Sequence, residues 1–149
     1  MKALIQRVTR ARVTEGGEPL GAIERGLLVL LGVAASDSEA NALKLAAKVV
    51  NLRLFDDSEG GMNLSAADVS AEILVVSQFT LLADTRRGRR PSWSAAAPPG
   101  KAEALYELFA SECARTVHVE RGRFRAMMEV ELVNDGPVTL MVEDPPREP

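Results

Sequence analysis

Two short strings hold the residue types best suited to chemistry. Ser77-Gln78-Phe79-Thr80-Leu81 closes an apolar run, and Asn134-Asp135-Gly136-Pro137-Val138-Thr139 lies near the C-terminus. In the first, Ser77, Gln78 and Thr80 put hydroxyl and amide groups where a strand gives out, with Phe79 as an apolar wall. Strand ends leave backbone N–H groups able to hold a carbonyl oxygen or a developing oxyanion. The same hydroxyls could equally satisfy backbone groups at a strand end. In the second string, Gly136 can take backbone angles closed to other residues, and Pro137 cannot donate to a strand ladder. X–Pro bonds are the natural place for a cis peptide, and rigid carbonyls beside one would make fixed stereochemical gauges. The alternative there is a plain turn closing a hairpin.

Other chemistries are hard to build. The chain has one His and one Cys, with no HExxH or CxxC, so a metal site is not expected. His118 falls on the polar side of an alternating segment, which suits an ordinary exposed residue. Cys113 falls on the apolar side of a helical pattern, which suits an inert buried thiol. GxSxG, P-loop and GxGxxG signatures are absent, and no cofactor is implied. Net charge is −3, which argues against coating nucleic acid by charge alone. Arg86, Arg87, Arg89 and Arg90 are nonetheless clustered, and Arg121, Arg123 and Arg125 recur later. The first cluster could grip a few phosphates or simply be a solvated loop.

The elements that must position these groups read as follows. With 149 residues, 46% hydrophobic and 26% charged, the chain suits one soluble domain spanning 1–149. The longest apolar run, Gly26 to Ala35, is too short to cross a bilayer. The start lacks the apolar stretch of a signal peptide, and a lone Cys fits a reducing cytoplasm. Residues 2–14 read as a strand with loose alternation, and Pro19 to Glu24 as its hairpin partner. Gly26 to Val33 reads as a strand covered on both faces. Ser36 with Glu39 reads as a capping box, followed by a helix burying Ala40, Leu43, Ala47 and Val50. Leu52 to Phe55 starts another strand, and Ala71 to Phe79 is a central one. Ala83 to Gly100 shows no periodicity, and a loop of that length is usually functional or mobile. Ala102, Leu105, Phe109 and Cys113 mark a second helix. Val117 with Val119, then Met128, Val130 and Leu132, read as half-buried strands. A turn at Asn134-Asp135-Gly136 leads to a last strand through Val138, Leu140 and Val142, and the tail from Asp144 is expected to fray. The fold class is α+β, with a largely antiparallel or mixed sheet and two main helices.

Taken in order, the two strings resemble the paired signature of the D-aminoacyl-tRNA deacylases of the bacterial and eukaryotic type. Gln6-Arg7-Val8, Gly26 to Val33, Leu52 to Phe55, Met62-Asn63-Leu64-Ser65 and Arg90-Pro91-Ser92 also fall where that family has similar stretches, so the resemblance spans Met1 to about Val142. It implies a homodimer that hydrolyses the ester between a D-amino acid and the tRNA 3′ end. This is a proofreading step in translation, and some members also clear Gly-tRNA(Ala). It implies a cis Gly136-Pro137 bond that reaches into the partner subunit's pocket and excludes L-side chains. Ser77, Gln78, Phe79 and Thr80 would form the pocket floor, with Phe124, Val138 and Thr139 around it. Catalysis in the family is credited to the 2′-hydroxyl of the terminal adenosine. Thr80 is therefore expected to position the ester or contact the oxyanion, a nucleophilic role being the minor alternative. The family usually reads Gly-x-Phe-Gly-Ala where this chain has Gly122-Arg123-Phe124-Arg125-Ala126, so Arg125 replaces a Gly. The competing readings are a non-enzymatic RNA-binding module and an editing deacylase for an L-aminoacyl-tRNA.

Overall fold

The strand β1 (Lys2–Glu15) is the seam of the molecule. The computed structural model describes residues 1–148. β1 turns into β2 (Glu18–Ile23) and then β3 (Gly26–Gly32); helix α1 (Glu39–Asn51) follows, then β4 (Arg53–Asp56) and β5 (Met62–Ser65). The short helix α2 (Ala66–Val69) leads to β6 (Glu72–Ser77), a 3-10 turn (Phe79–Leu82), helix α3 (Pro99–Ala114), β7 (Val119–Arg121) and β8 (Glu129–Glu143). The main sheet runs β2-β1-β3-β6-β7, with β8 also on β1, while β4 and β5 pair separately. β3, β2 and β8 are antiparallel to β1, whereas β3–β6 and β6–β7 are parallel, so the sheet is mixed. The α+β expectation holds.

Both faces of the sheet centre are covered, which is why β3 and β6 read as unbroken apolar runs. Leu27, Val29, Leu31, Ile73 and Val75 face α1 and α3 in the larger core. Leu28, Leu74 and Val76 face a smaller core with Val8, Ala11, Val13 and Ile23. β1 serves both: Ala3 and Ile5 belong to the helix side, and Val8, Ala11 and Val13 to the other. The alternation of β1 is loose because the strand changes core midway.

Three sequence expectations need correction. The buried face of α1 is Ala42, Leu45, Ala46, Val49 and Val50, and Leu43 is 40% exposed. The cap sits at Ser38 rather than Ser36, with the Ser38 N–H donating to Asn41 Oδ1 at 2.8 Å. Asp37, which looked like helix-start charge, is buried instead. Its Oδ1 lies 2.7 Å from the N-terminal ammonium of Met1, and its Oδ2 accepts the Ala34 N–H at 2.7 Å. The chain also stays ordered past the last apolar residue. Asp144 is buried, its N–H donates to the Met1 carbonyl, its own carbonyl accepts from the Met1 ammonium, and its side chain accepts from Asn41. Third, the turn at Asn134-Asp135-Gly136 does not end a strand. β8 is one strand on one edge of β1, with a bulge: Gln6 faces Thr139 and Val8 faces Asn134, so Asp135 to Val138 all stand opposite Arg7. Turn-forming residues here make the extra chain of a bulge.

Helix α3 follows expectation. Pro99 opens it, where a missing N–H costs nothing. Leu105, Tyr106, Phe109, Ala110 and Cys113 are buried, and Tyr106 donates its hydroxyl to the Val75 carbonyl at 2.8 Å. Among the described residues no helix is long and apolar enough to cross a membrane.

Candidate functional site

β6 ends at Ser77, in register with Leu31 of β3, and the chain then tightens into the 3-10 turn. The Gln78 N–H donates to the Leu31 carbonyl at 2.8 Å, and the Gln78 carbonyl accepts the Leu81 N–H at 3.3 Å. The Gln78 side-chain amide donates to Thr80 Oγ1. Ser77 and Gln78 are half-buried, while Phe79 and Thr80 are exposed. Among the described residues, no backbone partner takes the N–H of Phe79 or Thr80, the groups a short helical turn leaves open at its start. Gly32 seats this turn: a Cβ there would lie 2.6 Å from Leu82 Cδ2 and 3.2 Å from the Gln78 carbonyl oxygen. A side chain at this position would make the Leu82 side chain move and the turn give by a few tenths of an ångström.

Neither the His nor the Cys of the chain serves this corner. His118 accepts the Ile73 N–H through its carbonyl, at the opposite end of β6 from Ser77. Its ring is exposed, with Nε2 3.1 Å from Glu120 and 3.7 Å from Glu72. Cys113 is fully buried, and burial pushes its thiol up to about 12. Both match the sequence reading, and a Ser-His or Cys-His device is excluded by position.

The second string is held by its neighbours. The Gly136-Pro137 bond is cis, Gly136 has φ +122°, and both residues are exposed. Asn134 clamps the bulge from within, its amide donating to the Arg7 carbonyl at 2.9 Å and the Val138 carbonyl at 3.0 Å. Thr139 donates to Asn134 Oδ1 at 3.2 Å and accepts from Gln6 at 3.3 Å. Arg7 is buried beneath the bulge. Its Nη1 donates to the Leu54 carbonyl at 2.7 Å and its Nε to the Asp135 carbonyl at 3.3 Å, with carboxylates of Asp56 and Asp135 beside it. Sequence reading placed Arg7 in a family-like stretch and Asn134 in a turn, without foreseeing the bonds their side chains make. A charged residue between Ile5 and Val8 in a strand pattern was the available signal.

Within one chain the two strings stay apart. Ser77 lies level with Leu31, Ala3 and Val142 across the sheet, whereas the bulge stands opposite Arg7. Three strand spacings across and the stretch from Ala3 to Arg7 along the strand separate them by on the order of 20 Å. Phe124 is half-buried and packs on Tyr106, with ring centroids 6.1 Å apart. Arg125 next to it has φ +64°, in the left-handed region.

The arginine loop is closed by paired backbone bonds between Asp84 and Ser92, at 2.7 and 2.9 Å. Arg86 doubles back on Asp84, with Nε–Oδ1 2.9 Å and Nη2–Oδ2 2.7 Å, and these bonds pull the Asp84 carboxyl down to about 2. Arg87, Arg89 and Arg90 are exposed and have no ion-pair partner among the described residues. Asp84, Arg86, Arg87, Arg90 and Ser92 line an open cleft. Arg121 and Arg123 are instead paired with Glu107 and Glu15.

A sequence profile of the D-Tyr-tRNA(Tyr) deacylases matches residues 4–143. The chain belongs to this family. It is 58% identical over 144 residues to a D-aminoacyl-tRNA deacylase of Roseiflexus sp. (strain RS-1), covering 96% of this chain and 93% of that one. It is 54% identical over 143 residues to a D-aminoacyl-tRNA deacylase of Vibrio cholerae, covering 96% and 99%. Among solved structures, a c-Myc DNA unwinding element binding protein superposes with TM-score 0.91 at 42% identity, over 96% of this chain and 98% of that one. A probable eukaryotic D-amino acid tRNA deacylase superposes with TM-score 0.82 at 16% identity, over 95% and 97%, a likeness of fold.

Proposed function

We propose that this chain hydrolyses the ester of D-aminoacyl-tRNA, releasing free tRNA and the D-amino acid. The family match over residues 4–143 carries this reading. The open N–H groups of Phe79 and Thr80 supply the hydrogen-bond donors an ester carbonyl needs as charge builds on it. Thr80, held by Gln78, positions the ester, and the 2′-hydroxyl of the terminal adenosine assists a water that adds to the ester carbonyl; the bond from that carbon to the ribose 3′ oxygen breaks, the 3′ oxygen takes the proton, and the amino acid leaves as the free acid. The distance of His118 from Ser77 and the burial of Cys113 support this division of labour. Ser77 and Gln78 complete the floor, and Phe79 and Phe124 are its apolar walls.

Chirality is read by exclusion. The two isomers of an amino acid differ by exchange of hydrogen and side chain on one carbon. With the amino group and ester anchored, a fixed backbone wall meets Hα in one isomer and Cβ in the other. A tenfold preference needs only about 1.4 kcal/mol. Gly136 and Pro137, flanked by Val138 and Thr139, form that wall. The separation of the two strings within one chain supports a shared site completed by a second copy, with the bulge of one subunit over the Ser77–Thr80 corner of the other. Glycine has no side chain to reject, so Gly-tRNA(Ala) is a substrate too.

Incubation with D-Tyr-tRNA, L-Tyr-tRNA and Gly-tRNA tests the reading. Release of amino acid from the D-ester and the glycyl ester, with the L-ester intact, is the expected result. Cleavage of the L-ester would replace it with L-editing, and no turnover of any ester would leave a binding module.

A further inference from the structure

The chain has one Trp, one Tyr and four Phe. Phe55, Tyr106 and Phe109 are buried and Phe124 packs on the core. Phe79 and Trp93 alone stand out in solvent, 56% and 41% exposed. They are not scattered: their rings meet edge to face with centroids 5.8 Å apart. One side of this pair adjoins the reaction corner, since Phe79 precedes Thr80. The other adjoins the cationic cleft, since Trp93 follows Ser92, which lines it with Arg87 and Arg90. Two exposed aromatics in contact, next to guanidinium groups without carboxylate partners, have the chemistry of a single-stranded nucleic-acid track. Bases stack on rings and phosphates meet arginines, with little regard for sequence.

We propose that Trp93, braced by Phe79, is a stacking platform for an unpaired base at the tRNA 3′ end, and that Arg87 and Arg90 take phosphates of the same strand. Arg86 is excluded from that role because Asp84 already holds its guanidinium on two bonds. It shapes the loop and does not grip the ligand. The arrangement rests on the deacylase reading for the identity of the ligand, and it gives that site a handle on the substrate beyond the amino acid. The single strand then runs from the arginine cleft, over Trp93, to the ester at Thr80.

Because Trp93 is the sole Trp, its fluorescence reports on the platform directly. The probes are uncharged tRNA and the same tRNA with its last three nucleotides removed. Intact tRNA should quench Trp93, and the trimmed tRNA should not. Trp93→Ala should weaken binding of intact tRNA about 5- to 160-fold, the span usual for one stacked base, and Trp93→Phe should restore most of it. Arg87→Ala with Arg90→Ala should flatten the salt dependence by about 0.7 in slope per lost phosphate contact. In turnover of D-Tyr-tRNA, Trp93→Ala should raise KM far more than it lowers kcat. Equal quenching by both tRNAs, or a KM unmoved by Trp93→Ala in a variant of unchanged melting temperature, would overturn the platform. So would loss of the dimer in Trp93→Ala, which would assign the pair to contact between copies. Wild-type turnover is measured alongside: if it is absent, the deacylase reading fails, while the quenching comparison still decides whether Trp93 meets the 3′ end.

Discussion

At the scale of single residues, Arg125 is the position most out of keeping with its backbone. Its φ of +64° lies where a Cβ crowds the neighbouring carbonyl, at a cost of roughly 1–2 kcal/mol for an L-residue. A glycine at this place would carry no such penalty. Arg125→Gly should therefore stabilise the protein by about 1 kcal/mol, partly offset by the freedom glycine gains when unfolded. For a chain of this size the melting temperature should rise by about 2–4 °C. Differential scanning calorimetry checks this, and a fall in melting temperature would mean that the Arg125 side chain makes a compensating contact. The resemblance noted in the sequence singled out Arg125 without giving its physical meaning, because a backbone angle is not written in a residue name.

At the scale of elements, the bulge in β8 is the feature that sequence patterning misread. Asn-Asp-Gly-Pro is turn chemistry, and two alternating runs on either side suggest a hairpin. Whether the chain reverses or runs on depends on what it pairs with, and β1 is long enough to pair with both halves. Asn134 shows how the excursion is held, since its amide bonds to carbonyls on both strands. Asn134→Ala removes both bonds and leaves the Arg7 and Val138 carbonyls short of a donor. The expected loss is about 1–3 kcal/mol of stability. It should come with a larger relative rise in L-ester cleavage than in D-ester cleavage, because a loosened wall excludes less. Parallel rates on the two esters would detach the clamp from selectivity. Helix α1 was displaced for a related reason. Ala-rich stretches offer more than one plausible apolar face, and the one buried carries Leu45 and Val49. The central strands were legible because burial on both faces leaves an unambiguous apolar run.

At the scale of the whole molecule, the sequence conveyed the α+β class and both candidate strings, but not their distance. That they sit on the order of 20 Å apart in one chain follows from strand order and register, which are long-range facts. Parallel pairing of β3 with β6 puts the Ser77 corner at one level of the sheet, and antiparallel pairing of β8 with β1 puts the bulge at another. One further long-range contact joins the two extremities. The first ammonium group is sunk between Asp37 and the Asp144 carbonyl, at 2.7 and 2.8 Å, with its charge wholly out of water. A purification handle fused ahead of Met1 would turn that ammonium into an ordinary amide and strand the Asp37 carboxylate without its counter-charge. Orphaning one member of such a pair typically costs about 3–5 kcal/mol. A chain carrying the handle in front should therefore melt well below one carrying it after the exposed residues 145–148, and proteolytic trimming back to Met1 should abolish the difference.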